Sequence, residues 1–253
     1  MEKNWILKLA KVYDHPAVIL WRAIELRNLS RILPEKEMLH PILDLGCGEG
    51  EIGKALFGLK TIDVGLDNEE QMVKKAEKSR IYHKVILGDA CCLPFEKDFF
   101  NLVFSNCVIE HISDIDQVLF EAARVLKKNG LFVFTVPSDK FGDYLFFSQF
   151  FKKLRLPLLS KIYQKARNRQ LNHFHCYSQD KWRHKLQQKG FKLIKSETYI
   201  SPSTLFFWDW LAIRKKFFPG VSFSLPKLIE YYQKDGRPKQ GGALLLVAKK
   251  KNV

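Results

Sequence analysis

The sequence has no hydrophobic run long enough to cross a bilayer: its longest uninterrupted apolar stretch, Ala243 to Ala248, falls far short of the roughly 18 residues a spanning helix needs. Cysteine is scarce. The five residues, Cys47, Cys91, Cys92, Cys107 and Cys176, are odd in number and contain no Cys-x-x-Cys pair. That argues against a disulfide framework and against a zinc or other metal module, and it fits a reducing cytoplasm. The opening segment, MEKNWILKLAKVYDHP, scatters charges through its apolar positions and lacks a small-residue cleavage site, so no secretory leader is expected. Internal repeats and low-complexity tracts are missing too.

Acidic residues are sparse in one half only. Residues 1–137 carry 18 Lys+Arg and 20 Asp+Glu, whereas residues 138–253 carry 24 and 7, so the whole formal charge of +15 arises in the second half. Such asymmetry suggests that one part meets something anionic, such as nucleic acid, a phosphorylated substrate or a lipid surface. A solvated basic face kept for solubility is the competing reading. With 253 residues and 46% hydrophobic content, the chain can bury a sizeable core, which excludes a disordered polyelectrolyte. One full-sized domain with an appended lobe is expected.

Residues 17–33 have apolar groups at helical spacing, stopped by Pro34, and a linker, PEKEMLHP, follows. Ile42, Leu43 and Leu45 then form a short apolar run ending in Gly46-Cys47-Gly48-Glu49-Gly50, after which Ile52, Ala55 and Leu56 are spaced for a helix. A second run, Thr61 to Leu66, ends at Asp67, and Asn68 with Gln71 reads as a capping box opening the next helix. Val85–Leu87 and Leu102–Ser105 predict two more strands. Ser113 is the expected cap of a helix whose apolar face runs from Ile115 to Leu126, with Gly130 as its stop, and Leu131–Val136 predicts a fifth strand. After an insertion over 138–177, the spacing predicts a helix from Ser178 to Lys189 capped by Gly190, then strands at 191–200 and 243–249. Strand and helix in alternation argue for a doubly wound, mostly parallel α/β sheet of Rossmann-like type.

In such a sheet ligands lie beyond the carboxyl ends of the strands, and a glycine turn there lets backbone amides approach them. Gly46, Gly48 and Gly50 occupy that place. Asp67, ending the second strand about twenty residues on, is placed to accept from two ribose hydroxyls. Asp44, just before the turn, and Asp89, after the third strand, do not belong to the pyrophosphate fingerprint of dinucleotide folds; an acid at Asp89 could accept from an adenine amino group. Each aspartate could instead serve as a cap or turn acid.

Five ordered segments, ILDLGCGEGEIGKAL, VGLDNEEQMVKKA, VILGDACCLPF, FNLVFSNCVIEHISD and RVLKKNGLFVFTVPS, resemble the class I S-adenosylmethionine-dependent methyltransferases, in particular the group related to the quinone-biosynthesis methyltransferases. They cover about two fifths of the chain and count because each falls in its expected structural context. The resemblance implies a seven-stranded sheet with an antiparallel last strand and S-adenosyl-L-methionine as cofactor. It also implies roles: Gly46, Gly48 and the backbone near Cys47 for the methionine portion, Asp44 for its amino group and Asp67 for the ribose. Asn68 would meet the adenine edge, Asp89 with Ala90 the adenine ring, and Asn106 completes the cofactor set. The family usually has Asp where this chain has Asn101, a position at the start of strand four where little harm is expected. Implied domains are a helical cap over 1–40, a cofactor core over 41–138, a helical lid insertion over 139–177, and a remainder with a second aromatic and basic insertion at 201–240.

Methyl transfer from a sulfonium is an in-line displacement with an excellent leaving group, so positioning supplies much of the acceleration. A hydroxyl acceptor also benefits from a base, and His suits neutral pH. His111, after strand four beside Glu110, is one candidate; His173 and His175, which alternate with Tyr177 and would share a face if extended, are the others. A helix-entry His satisfied by backbone is the plainer alternative for His111. The loop Ser105-Asn106-Cys107-Val108 lacks the Asp/Asn-Pro-Pro-aromatic pattern of exocyclic amine methylation, and Cys107 lacks the neighbours of an attacking cysteine. Cys47, Cys91, Cys92 and Cys107 read as packing residues.

Asp143 to Leu159 puts Tyr144, Phe147, Phe151 and Leu154 at helical spacing beside Lys152, Lys153 and Arg155, and Leu205 to Phe218 repeats the mixture. Helices of this kind can lie in a membrane interface on anionic headgroups, or form a lid and lobe core instead. RNA is a weaker explanation of the charge, since no RNA-binding module is recognisable. The sequence therefore predicts an O-methyltransferase acting on a small-molecule or lipid-linked acceptor, cytoplasmic and membrane-peripheral. An RNA methyltransferase and a non-catalytic S-adenosylmethionine-binding protein are the alternatives.

Overall fold

The computed structural model describes residues 5–33, 39–58, 62–217, 224–236 and 238–252. Most of the linker read at 34–41, the Pro34 stop, Thr61 and the end of the Leu205–Phe218 segment lie outside these residues. The chain divides into two compact units: Met1–Arg31, Pro137–Cys176 and Thr198–Leu244 form one, and Ile32–Val136, Tyr177–Glu197 and Leu245–Val253 the other.

The strands are β1 (Ile42–Leu45), β2 (Ile62–Asp67), β3 (Tyr82–Leu87), β4 (Phe100–Asn106), β5 (Leu126–Pro137), β6 (Phe191–Tyr199) and β7 (Ala243–Lys250). They form one seven-stranded sheet in the order β3-β2-β1-β4-β5-β7-β6. Strands β3, β2, β1, β4 and β5 pair in parallel. β7 runs the opposite way. The Ser138 amide, past the end of β5, donates to Gly242, just before β7 begins, while Lys250 at the end of β7 reaches the Leu126 carbonyl where β5 starts. The expected sheet is thus present, with its antiparallel strand seventh in sequence and sixth in position. β1 is buried at every residue, as a central parallel strand covered on both faces must be.

Helices α1 (Trp5–Leu9), α2 (Pro16–Ile32), α3 (Glu51–Phe57), α4 (Glu70–Ser79), α5 (Ile115–Val125), α6 (Phe146–Lys153), α7 (Pro157–Gln170), α8 (Gln179–Gln188), α9 (Pro202–Phe217) and α10 (Leu225–Lys234) complete the elements. Several boundaries differ from the sequence reading: β3 and β5 begin earlier, at Tyr82 and Leu126, and the C-cap of α8 is Lys189 rather than Gly190. α4 is entered at Glu69 rather than Asn68, because Asp67 Oδ1 accepts from the Glu69 amide at 3.0 Å in a turn that holds Asn68 outside the helix. Asp114, not Ser113, caps α5, its Oδ1 accepting from the Gln117 amide at 3.0 Å. α5 then ends at Val125, before Gly130, because the amides of Asp98 and Phe99 take the carbonyls of Arg124 and Val125 and Leu126 turns extended.

In the first unit α6 and α7 replace the single helix expected over 143–159. The chain breaks at Arg155, whose φ of 56° is left-handed, and Pro157 restarts it at the head of α7. A buried polar knot joins this unit's helices: Asp209 of α9 accepts from Arg167 Nε at 2.9 Å, from the Tyr163 hydroxyl at 2.6 Å and from the Phe146 amide at 3.0 Å. Aromatic contacts surround it, including Phe146 with Phe206 at 4.8 Å and Trp21 with Trp208 at 5.1 Å between ring centroids.

Candidate cofactor site

The site is built at the carboxyl ends of β1, β2 and β3. β1 stops because Gly46 turns with φ of 75°, and a Cβ there would stand 2.4 Å from both methyl carbons of Val108. The amides of Gly46 and Cys47 both donate to the Leu66 carbonyl, at 2.7 and 3.0 Å, which stitches the turn to β2. Gly48 follows with φ of 53°, and a Cβ built on it would meet nothing within 4 Å. Only a residue without a Cβ adopts these angles without strain, and the open space beside Gly48 admits another molecule against the backbone.

Asp67, half-buried, holds the turn from below: its Oδ2 accepts from the Gly48 amide at 2.8 Å while Oδ1 serves Glu69. Each carboxylate oxygen keeps a lone pair, so the group can still receive two hydroxyl donors. Asn68 beside it is exposed.

Asp44 is buried and accepts from the Tyr82 hydroxyl at 2.7 Å. Burial pushes its carboxyl up to about 7; the Tyr82 hydrogen bond works against that rise and the nearby Asp67 charge adds to it. Burial, and then the charge of Asp44, also raise the Cys47 thiol, so it stays protonated and inert. Cys47 is buried as expected, Cys91 and Cys107 are half-buried, and Cys92 is exposed, so packing does not account for Cys92.

Beyond β3, Asp89 is exposed and Ala90 buried. Asp89 Oδ1 accepts from the Cys91 amide at 2.8 Å, forming a turn. That loop is pinned by α5: Glu121 accepts from the Leu93 amide at 2.7 Å, and Arg124 donates to the carbonyls of Leu93 and Phe95 at 2.8 and 2.6 Å.

After β4, the Asn106 side-chain amide donates to Thr135 Oγ1 at 2.7 Å, and the Cys107 amide to the Thr135 carbonyl at 3.1 Å. Any part Asn106 plays toward a ligand is therefore shared with a structural bond to β5. A short 3-10 turn, Ile109–His111, places Glu110 in the interior and His111 at the surface, with His111 Nε2 3.8 Å from Glu110 Oε1. Asn101 donates to the His40 carbonyl and anchors the chain before β1.

Asp44, Gly46, Cys47, Gly48, Asp67, Asn68, Asp89, Ala90, Asn106 and His111 all fall in one unit. His173 and His175 belong to the other. There the His173 ring stands edge-on to Phe141 at 5.1 Å, its Nδ1 lies 3.9 Å from Cys176 Sγ, and His175 is buried. Tyr177, read as sharing their face, falls in the unit of His111 and packs on Trp182. Sequence reasoning missed Tyr82 and Thr135, whose partners lie 38 and 29 residues away.

Three carboxylates, Asp44, Asp67 and Asp89, thus stand at the carboxyl ends of β1, β2 and β3 as acceptors that could hold a ligand, beside a turn whose backbone at Gly48 is open.

Residues 37–190 match the protein family described as a methyltransferase domain. Among curated relatives, the malonyl-[acyl-carrier protein] O-methyltransferase of Legionella pneumophila is 37% identical over 99 residues, covering 37% of this chain and 35% of that protein. The demethylmenaquinone methyltransferase of Staphylococcus carnosus is 29% identical over 173 residues, covering 62% and 70%. The chain spans about half or less of the length of the first curated relatives it matches. A SAM-dependent methyltransferase structure from Thermotoga maritima superposes with a TM-score of 0.60 at 19% identity, covering 97% of this chain and 96% of that one; it shares the fold.

Proposed function

The chain belongs to the methyltransferase-domain family, the class I enzymes that take S-adenosylmethionine as methyl donor, and from that premise we propose that it methylates an oxygen of a small-molecule or lipid-linked acceptor. The observation that carries the reading is the Asp44–Gly48–Asp67 cradle, where one carboxylate is buried beside the turn and another is bonded to its backbone. Two relatives named as O-methyltransferases, the Legionella pneumophila protein and the ubiquinone biosynthesis O-methyltransferase of Pelagibacter ubique, favour oxygen as the receiving atom.

The donor, when bound, supplies a methyl group on a positively charged sulfur that leaves as a neutral thioether. The chain's own work is placement. Asp44 receives the ammonium, the Gly46–Gly48 backbone fits against the methionine portion, Asp67 fixes the ribose, and Asn68, Asp89 and Ala90 border the base. Fixing the donor in this way removes translational and rotational freedom before the displacement. His111, exposed at the end of the turn after β4, would take the proton from an acceptor hydroxyl. His173 and His175, in the other unit, are the alternative to His111 in this proposal.

A cytoplasmic, membrane-peripheral setting is part of this proposal; among the described residues no helix is long and apolar enough to cross a membrane. The test is to incubate the protein with methyl-labelled donor and, separately, lipid extract, a set of small hydroxylated acceptors and bulk RNA. Label in the lipid or small-molecule fraction is expected. Label in RNA alone, or donor binding with no transfer anywhere, overturns the acceptor assignment.

A further inference from the structure

We propose that the tip of the α6–α7 hairpin docks this chain on the surface of an anionic lipid bilayer. The inference deepens the lipid-linked reading above by naming the surface on which such an acceptor is met.

The seam of the hairpin is partly polar: Ser148 and Ser160, both buried, lie 2.8 Å apart through their hydroxyls, and Gln164 donates to Ser148 at 2.8 Å, beside the edge contact of Phe147 with Tyr163. Towards the tip the large apolar side chains are exposed. Leu158 is 70% exposed, Ile162 55%, Leu154 53% and Phe150 46%, with Leu156 and Leu159 also exposed. They gather where Arg155 breaks the helix and Pro157 restarts it, so most crown one turn. Single exposed leucines are ordinary; a contiguous cluster of this size marks a contact surface.

Charge selects the occupant. Residues 144–179 contain no Asp or Glu and seven Lys or Arg. Lys153, Arg155, Lys161 and Lys165 are exposed around the apolar tip. Lys161 and Lys165 stand one turn from Leu158 and Ile162 on α7, close enough for their stems to follow the apolar face while their ammonium groups reach a headgroup layer. A second protein copy presents the same cations and is repelled by them, whereas an anionic bilayer satisfies both halves of the patch together: leucines enter the interface and cations meet phosphates. Stacking on RNA bases needs exposed aromatic faces, and this tip offers mainly leucine and isoleucine.

The experiment is co-sedimentation of the full chain with sucrose-loaded vesicles of phosphatidylcholine alone or mixed with phosphatidylglycerol. We expect sedimentation with the mixed vesicles, weakened by salt, and little with the neutral ones. Leu158→Ser/Leu159→Ser should lower the partition coefficient at least about tenfold, and Lys153→Gln/Arg155→Gln/Lys161→Gln by a similar or larger factor. Donor binding measured by calorimetry on the same variants should be unchanged. Equal sedimentation with both vesicle types, or none, overturns the proposal. So does loss in the cation variant alone, which indicates general adhesion to polyanions such as RNA, or a dimer in light scattering that the leucine variant dissolves. Docking that persists while no lipid becomes methylated leaves the surface standing and removes the lipid-linked acceptor.

Discussion

The Tyr82 hydroxyl donates to Asp44 Oδ2 at 2.7 Å, a side-chain bond that opposes the effect of burial on this carboxyl. With its carboxyl raised to about 7, Asp44 holds a proton in the folded chain at a pH where the unfolded chain has lost it. Its contribution to the stability of the ligand-free protein is therefore present in acid and lost as pH rises from about 4 to about 7. The proposed ammonium contact needs the ionised form. Affinity for S-adenosylmethionine should rise about tenfold per pH unit up to about 7, then fall above about 8 as the donor's α-amino group loses its proton. Tyr82→Phe should move the rising limb to higher pH. Calorimetric titration across pH reads both effects, and a flat profile below 7 contradicts the assignment.

Gly46 and Gly48 should fail in different ways. A Cβ on Gly46 collides with Val108, whereas one on Gly48 enters open space. Gly46→Ala should lower unfolding stability by more than the left-handed backbone cost of about 1–2 kcal/mol, and Gly48→Ala by about that cost alone. The second variant should still lose donor affinity, because the methyl group fills the space beside the turn. Urea unfolding paired with donor titration separates the two.

Arg167 and Asp209 form a buried pair with side chains 6% and 0% exposed. Burial raises the Asp209 carboxyl, against the lowering influence of Arg167. Arg167→Met leaves that carboxylate without its cation and should cost about 3–5 kcal/mol, while Arg167→Met with Asp209→Leu should cost less than the single change. Chemical denaturation measures the difference; a double variant at least as destabilised as Arg167→Met alone contradicts the account.

The α5 cap rests on Asp114. Asp114→Ala should destabilise by about 0.5–2 kcal/mol, the usual effect of removing a capping side chain. Thermal unfolding of the variant checks this, and an unchanged midpoint contradicts it.

The parallel strands were legible because each has a short apolar run, closed by Gly or Asp in β1, β2 and β3, and the glycine turn was legible because glycine adopts left-handed angles at the least cost. Caps were misplaced by one residue where Asp67 and Asp114 use side chains that local spacing cannot assign. Tyr82 was unreadable: its partner lies two strands away, and a tyrosine at the start of β3 looks like any half-buried strand residue. The apolar spacing of 143–159 looked like a helix bearing a core stripe. The Ser148–Ser160 seam takes the inner side of the hairpin, and which face a polar pair will occupy is decided by packing that the sequence does not display.

The donor cradle itself is tested most directly by titrating S-adenosylmethionine into the wild-type protein and Asp67→Ala in a calorimeter. Asp67 is assigned two hydroxyl contacts to a charged carboxylate, each worth about 1.5–3 kcal/mol, so the variant should bind at least about a hundredfold more weakly. Equal affinity in the two proteins, or no binding by either, contradicts the account.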